Sequence, residues 1–278
     1  MGKFSHTWSL MGASWDVLKE DKEILVFPLI SGICCLLVMA SFALPMFLTG
    51  AWLPPGEEAT TADAVEYYGI LFLFYFCNYF IIVFFNSAII ACAVIRMEGG
   101  DPTVGDGFRA AFSRIALIAG WALVSATVGV VLRIIEDRSK WVGRIVAGLL
   151  GIAWGVVSFL VVPILVVEKK RPITAVKESA ALLKKTWGEQ IIGNFSFGLV
   201  FFLLSIPAFV VIFLGVLTAS PAAIIACVGL GVLYIVLLAL IQSALQAIFQ
   251  AAVYLYARDG RTPPGFDSRL LMDSMIQK

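Results

Sequence analysis

Charged residues are scarce in this chain of 278 residues: they make up 14% of it, against 60% for hydrophobic residues. Soluble domains carry about a quarter charged residues and about half apolar ones. The shortage excludes an ordinary soluble domain and indicates a membrane protein. The formal net charge of +1 does not indicate a nucleic-acid partner, and we expect none.

Residues that carry catalytic or metal chemistry are equally scarce. The single histidine, His6, lies in the polar N-terminal stretch, and all five cysteines fall within apolar segments rather than at metal-ligand spacings. The segment GDGF at Gly105–Phe108 lacks the lysine and the spacing of a phosphate-binding loop. No serine, lysine, histidine and aspartate are spaced as a nucleophile and its base. The sequence therefore predicts a protein that is not an enzyme and that has no metal or cofactor.

Apolar stretches long enough to cross a hydrocarbon core of about 30 Å, roughly 20 residues each, recur along the chain. The six predicted spans are Ile24–Trp52, Tyr67–Arg96, Ile115–Ile135, Val142–Val167, Gln190–Thr218 and Pro221–Ala257. They leave no room for a sizeable soluble domain, so the predicted fold class is an all-α polytopic membrane domain over residues 1–278. The first 23 residues are too polar for a cleavable signal peptide, and we expect the first span to be an uncleaved signal anchor.

The basic residues predict the orientation. Sixteen lie on the side of the termini and four on the other side. Positive residues stay cytoplasmic, so both termini are expected in the cytoplasm and the protein in the inner membrane. The acidic loop containing Glu57 and Glu66 is then expected outside.

Amphipathic segments precede the first, third and fifth spans. Their apolar residues recur at helical spacing, as Phe4, Trp8, Met11, Trp15 and Leu18, then Val104, Phe108, Ala111, Phe112 and Ile115, then Ile173, Val176, Ala180, Leu183 and Trp187. The chain thus predicts three hairpins of transmembrane helices, each preceded by a cytoplasmic amphipathic helix.

The predicted units cover residues 1–99, 100–170 and 171–265, with a short cytoplasmic tail at 266–278. Each unit ends in charged residues followed by a proline, in RMEGGDPTV, EKKRPITAV and ARDGRTPPG. A threefold repeat would produce this pattern. A general need for an amphipathic lead-in before a span would also produce it, and the sequence leaves both explanations open.

The segment Arg171–Phe195 resembles a motif in a loose group of bacterial and archaeal membrane proteins. The matching residues are Pro172, Ala175, Val176, Lys177, Ser179, Leu182, Lys184 and Trp187. The group includes the membrane domain attached to some glycerophosphodiester phosphodiesterases. The stretch SWDVLKEDKEILVFPLISG at Ser14–Gly32 resembles an uncharacterised family of six-span prokaryotic proteins, known only by a domain of unknown function. These resemblances imply a helical inner-membrane protein and carry over no catalytic residues.

Two sets of residues are candidates for function. The first set is an interface for lipid or for a partner, formed by Trp8, Trp15, Lys177, Lys184, Lys185 and Trp187. Indole rings suit the membrane interface, and basic amphipathic helices bind anionic lipid. The same helices could instead only cap the bundle.

The second set is a polar stripe in spans two, five and six, formed by Asn78, Asn86, Asn194, Gln242, Gln246 and Gln250. These side chains could form hydrogen bonds between helices or line a pore. Ionisable residues near the span centres, which ion-coupled transporters usually keep, are missing. Gly151 and Gly155 could bring helices together within the bundle or in a homo-oligomer.

The sequence therefore predicts a non-enzymatic protein whose partner is the lipid bilayer, with anionic head groups as candidate ligands. A membrane-organising or lipid-binding scaffold is the first hypothesis, and a channel or small-solute permease is the second. The sixth span predicts one helix of about 55 Å at roughly 1.5 Å per residue. Its cytoplasmic end would protrude beyond the hydrocarbon core, and we expect the amphipathic helices to cover it as a lid.

Overall fold

The computed structural model describes residues 3–49, 60–138, 141–187, 193–218, 220–260 and 262–266, and the regular secondary structure in these ranges is helical. The α-helices are α1 (Lys3–Glu20), α2 (Val26–Thr49), α3 (Thr61–Met97), α4 (Val104–Ser113), α5 (Ile115–Arg138), α6 (Val142–Val157), α7 (Val161–Pro163), α8 (Pro172–Trp187), α9 (Gly193–Leu217) and α10 (Pro221–Asp259). A 3₁₀ turn at Lys22–Leu25 joins α1 to α2, and a π-helical turn at Ile164–Glu168 follows α7.

Six helical segments of the described chain are long and apolar enough to cross a membrane. They are Lys22–Leu48, Thr61–Met97, Ile115–Asp137, Val142–Glu168, Val200–Leu217 and Pro221–Asp259. The all-α polytopic fold is thereby confirmed. The fourth span was expected to be continuous, but a turn at residues 158–160 separates α6 from α7.

Local sequence explains where several helices begin. Thr60 and Asp63 form a capping box at the start of α3, and Thr103 and Asp106 form one at the start of α4. In such a box, two side chains satisfy backbone N–H groups that the first turn leaves unpaired. The hydrogen bonds from Thr103 lower the pKa of the Asp106 carboxyl, because they favour its charged form.

The last spans of the three predicted units end in one backbone pattern. Each ends at a residue with positive φ, preceded by an acidic residue and followed three positions later by a proline. The positive-φ residues are Gly99, Lys169 and Gly260, and the prolines are Pro102, Pro172 and Pro263. A left-handed residue commonly ends a helix, and proline shortly afterwards cannot continue it. The pattern recurs near the end of each predicted unit, and both the units and their common ancestry stay predictions.

Helix α3, helix α10 and α7 with its π-helical turn contact one another at the centre of the bundle. Around them, α2 packs on α3, α5 packs on α3 and α6, and α9 packs on α10. The fully buried side chains include Ile89, Leu165, Ile248 and Tyr254. The core therefore lies toward the C-terminal ends of α3, α10 and the fourth span.

Many large apolar side chains lie exposed on the other halves of the spans, such as Leu149 on α6, Phe213 on α9 and Leu230 on α10. A soluble monomer rarely exposes so large an apolar surface. In a bilayer this surface meets lipid tails, which are as apolar as leucine.

Helices α1, α4 and α8, called the three short helices below, pack on the ends of these central spans. Helix α4 contacts α3, α8 contacts α7 and the π-helical turn, and α1 contacts α10. Helices α4 and α8 therefore each lie on the last span of the preceding predicted unit. Helix α1, at the start of the first unit, lies on the last span of the third.

Helix α10 runs without a break for 39 residues, about 58 Å at roughly 1.5 Å per residue. This confirms the prediction of a single long helix. Ala251, Val253 and Leu255, which were expected to need cover at its end, are buried.

The buried face of α1 differs from the predicted stripe. Leu10, Ser14 and Val17 are buried, whereas Trp8 is 62% exposed and Trp15 is 38% exposed. Met11 and Leu18 of the predicted stripe are buried as well, so the buried face is rotated away from the two indole rings. The two rings lie at the edge of the contact between α1 and the spans.

Candidate functional site

An apolar groove of about 360 Å³ lies where α1 meets the α9–α10 pair. Trp8, Met11, Gly12 and Trp15 form its α1 side, and the opposite side consists of Phe201, Leu204, Leu238, Ile241 and Leu245. The two predicted tryptophans of α1 thus lie at one site together with residues of two spans. Lys19 is at the same edge, with its Nζ atom 5.9 Å from the centre of the Trp15 ring.

Each of the three short helices also combines an exposed apolar side chain with an exposed basic one. On α1 these are Trp8 and Lys19, on α4 Phe112 (59% exposed) and Arg109, and on α8 Ile173 (57% exposed) and Lys177. Apolar and basic groups side by side are typical of helices that lie in a membrane interface.

Helix α8 buries a narrower face than the sequence predicts. Ala175, Ser179 and Leu183 are buried, while Ile173, a member of the predicted apolar stripe, is exposed. Lys177 and Lys184 are exposed, as a lipid-binding role requires. The side chains of Lys185 and Trp187 lie outside the described part of the chain.

The residues of the polar stripe have different surroundings. Gln246 is exposed, whereas Asn86, Gln242 and Gln250 are partly buried. Asn78 donates a hydrogen bond to the carbonyl of Phe74 on its own helix, at 2.9 Å. The side chain of Asn194 lies outside the described residues.

Gln250 contacts the break in the fourth span. Pro163 has no N–H and therefore cannot donate to the carbonyl of Phe159, four residues earlier. The side-chain amide of Gln250 donates to that carbonyl instead. The N–H of Leu160 donates to Ser179 Oγ at 3.1 Å. Non-helical backbone at membrane depth requires such partners, so α8 and α10 stabilise the break.

An ion pair that the sequence analysis missed joins the end of α1 to the end of α3. Asp21 is only 7% exposed and accepts two hydrogen bonds from the guanidinium of Arg96, which also pairs with Asp101. Asp21 lies in a run of five charged residues, Lys19–Glu23, and nothing in this run indicates that Asp21 is the buried one or that Arg96 is its partner.

A second polar cluster joins the ends of the fourth and sixth spans. The hydroxyl of Tyr254 donates to Glu168 at 2.7 Å, and Lys170 pairs with both Glu168 and Glu178. The hydrogen bond with Glu168 contributes most to raising the pKa of Lys170, and the hydrogen bond with Glu178 raises it further. Charged side chains thus fix the junctions between the predicted units.

Nothing among the described residues indicates a metal centre, since no group of three or more histidine, cysteine, aspartate or glutamate side chains is placed to hold an ion. The groove between α1 and the α9–α10 pair, and the exposed apolar and basic side chains of α1, α4 and α8, are the best candidates for binding.

A search of curated proteins finds none that matches the chain. A family model described as a family of unknown function (DUF6159) matches residues 65–266, which include the motif at Arg171–Phe195 but not the N-terminal stretch Ser14–Gly32. Because this match covers more than half of the chain, the protein belongs to that family of unknown function.

Proposed function

We propose that the protein is a non-enzymatic, lipid-binding scaffold of the inner membrane. In this proposal six spans form three hairpins, and the amphipathic helices α1, α4 and α8 lie in the cytoplasmic interface. Both termini are in the cytoplasm. Anionic head groups bind to the basic side chains of these helices.

One observation carries the proposal: each short helix presents an apolar and a basic side chain outward after its inner face has packed on the bundle. A helix that only capped the bundle would need neither Trp8 nor Phe112 nor Ile173 exposed. An indole or phenyl ring is favoured at head-group depth. A basic side chain near the anionic surface adds about 1 kcal/mol of attraction.

The arrangement of the bundle supports the same proposal. The apolar surface of the outer halves suits lipid tails, and the core holds the short helices on the span ends. In this proposal, that packing holds the helices in place at the interface. A relation to the membrane domain of glycerophosphodiester phosphodiesterases and assembly into homo-oligomers belong to the proposal as well.

The test is a lipid-binding measurement on the double variant Lys177→Glu/Lys184→Glu. Native mass spectrometry of the solubilised full chain, with phosphatidylglycerol or phosphatidylcholine added, counts the lipids retained. We expect phosphatidylglycerol affinity to fall at least about tenfold, because two basic residues near the surface contribute that much. Phosphatidylcholine binding should not change.

Arg144→Glu is the matched control. Arg144 is exposed near the start of α6, at the opposite end of the bundle. Its reversal should leave phosphatidylglycerol binding at the wild-type level. If the double variant binds phosphatidylglycerol as tightly as wild type, the helices only cap the bundle and the proposal is wrong.

A further inference from the structure

The groove between α1 and the α9–α10 pair extends along the bundle. A second apolar groove, of about 430 Å³, lies between α9 and α10. On α9 its lining begins at Pro207, just after Leu204 of the first groove, and on α10 it begins at Leu237, next to Leu238. The linings therefore follow one another along the seam of the two helices.

The length of this seam matches an extended hydrocarbon chain. From Leu245 to Leu230 it covers 16 residues of α10, which rise by about 22 Å at roughly 1.5 Å per step. This is somewhat more than one leaflet, or half of a hydrocarbon core about 30 Å thick. Where the two linings meet, the Tyr234 hydroxyl donates to the carbonyl of Leu204 at 3.0 Å, so an acyl chain along the seam would pass over this hydrogen bond.

The two ends of the seam differ in polarity. At one end Trp8 and Trp15 form the rim, with Lys19 beside them. At the other end the lining consists of Pro207, Val211 and Leu230 among other apolar residues. A lipid bound here would have its head group near Lys19 and its chain along the spans.

We propose that this groove between α1, α9 and α10 is a binding site for one acyl chain of a membrane phospholipid, whose head group lies at the Trp8–Trp15 rim. The inference rests on the proposed function and gives it a defined ligand site. Lipid is the occupant because the groove lies between candidate membrane spans, and lining residues such as Leu233 and Leu237 are themselves exposed on the outside of the bundle.

Gly12 provides a way to block the site. It lines the groove, and a Cβ atom added there would meet no atom within 4 Å. Gly12→Phe should therefore fill the groove without disturbing the packing of α1. Gly229→Phe is the matched control, because Gly229 also has open space, lies in the exposed half of α10 and does not line either groove.

The experiment uses the full chain in vesicles of phosphatidylethanolamine and phosphatidylglycerol. The phosphatidylglycerol carries a photoactivatable diazirine, placed either at the end of the acyl chain or next to the glycerol. After irradiation, mass spectrometry maps the labelled residues. The chain-end probe should label the region of Pro207 and Leu230, and the glycerol-end probe the region of Trp8 and Trp15.

Labelling by bulk lipid, the reference for the groove, is measured on the opposite face of α9. Phe213 is 62% exposed, and helical geometry places it on the side of α9 away from the groove. We expect stronger labelling in the groove than at Phe213. Gly12→Phe should lower groove labelling about tenfold, the affinity that roughly two buried methylenes supply. Gly229→Phe should not lower it.

Equal labelling of the groove and Phe213, or groove labelling that Gly12→Phe leaves unchanged, would overturn this inference. If Gly12→Phe does not fold, Trp8→Ala takes its place, because the exposed Trp8 contributes mainly to the rim. Loss of lipid selectivity in the Lys177 and Lys184 variants is a separate readout. Unchanged selectivity there with a labelled groove would reject the head-group proposal and keep the acyl-chain site.

Discussion

The side-chain amide of Gln250 on α10 donates a hydrogen bond to the carbonyl of Phe159. In a regular helix residue 163 would donate to this carbonyl, but Pro163 has no N–H. A proline in a span and a glutamine in a distant span thus form one structural unit. In a bilayer no water is available to satisfy such a carbonyl.

Gln250→Leu should therefore destabilise the protein by about 1–2 kcal/mol, because it removes a hydrogen bond to a carbonyl of the span break. Thermal unfolding in detergent measures the change. Gln246→Leu, one turn away at an exposed position, should change stability by less than about 0.5 kcal/mol.

Pro163→Ala extends this test. The alanine N–H can donate to the carbonyl of Phe159, so Gln250→Leu should cost less in the Pro163→Ala background than in wild type. An equal cost in both backgrounds would show that the two residues are not coupled, and Gln250 would then act through other contacts.

Asp21 and Arg96 give a second prediction. Asp21→Asn removes the buried charge that Arg96 faces, and we expect a loss of about 2 kcal/mol. Breaking a fully buried pair costs more than that, but Arg96 keeps Asp101 as a partner. Thermal unfolding should show the loss.

Asp16→Asn is the control for this variant. Asp16 pairs with Lys19 on the exposed side of α1, and such surface pairs contribute less than about 1 kcal/mol. Similar losses of stability for the two variants would show that the buried ion pair of Asp21 stabilises the protein no more than the exposed pair of Asp16 does.

A third prediction concerns the close approach of α4 to the spans. A Cβ atom on Gly107 would clash with the Phe27 ring and would lie 2.9 Å from Cys92 Sγ. Gly107→Ala should cost about 1–3 kcal/mol, as overpacking does. Gly105→Ala meets only Thr103 Oγ1 at 3.6 Å, so it should be neutral or gain up to about 1 kcal/mol of helix propensity. Equal effects in thermal unfolding would contradict the close packing of α4.

The sequence predicts the spans of this protein well, because hydropathy directly reflects which segments can lie in hydrocarbon. It predicts the rotation of the short helices poorly. The predicted stripe of α1 includes Trp8 and Trp15, but the buried face is centred on Leu10, Ser14 and Val17.

The sequence pattern does not predict which residues form hydrogen bonds or ion pairs across the bundle. Pro163 indicates that the carbonyl of Phe159 needs another donor, but nothing in the sequence selects Gln250 over Gln242 or Gln246. Asp21 and Arg96 lie 75 residues apart. Inside a membrane both the lipid-facing and the protein-facing sides of a helix are apolar, so periodicity cannot specify such contacts.

The last prediction concerns topology. Six spans predict both termini on one side of the membrane, and the sixteen-to-four distribution of basic residues predicts that this side is the cytoplasm. Reporter fusions at Lys278 and after Glu58 should therefore report opposite sides, with Lys278 in the cytoplasm. A fusion after Ser113, between the second and third spans, should agree with Lys278. If the reporters at Lys278 and Glu58 lie on the same side, the six-span topology is wrong, and α1, α4 and α8 do not share one interface.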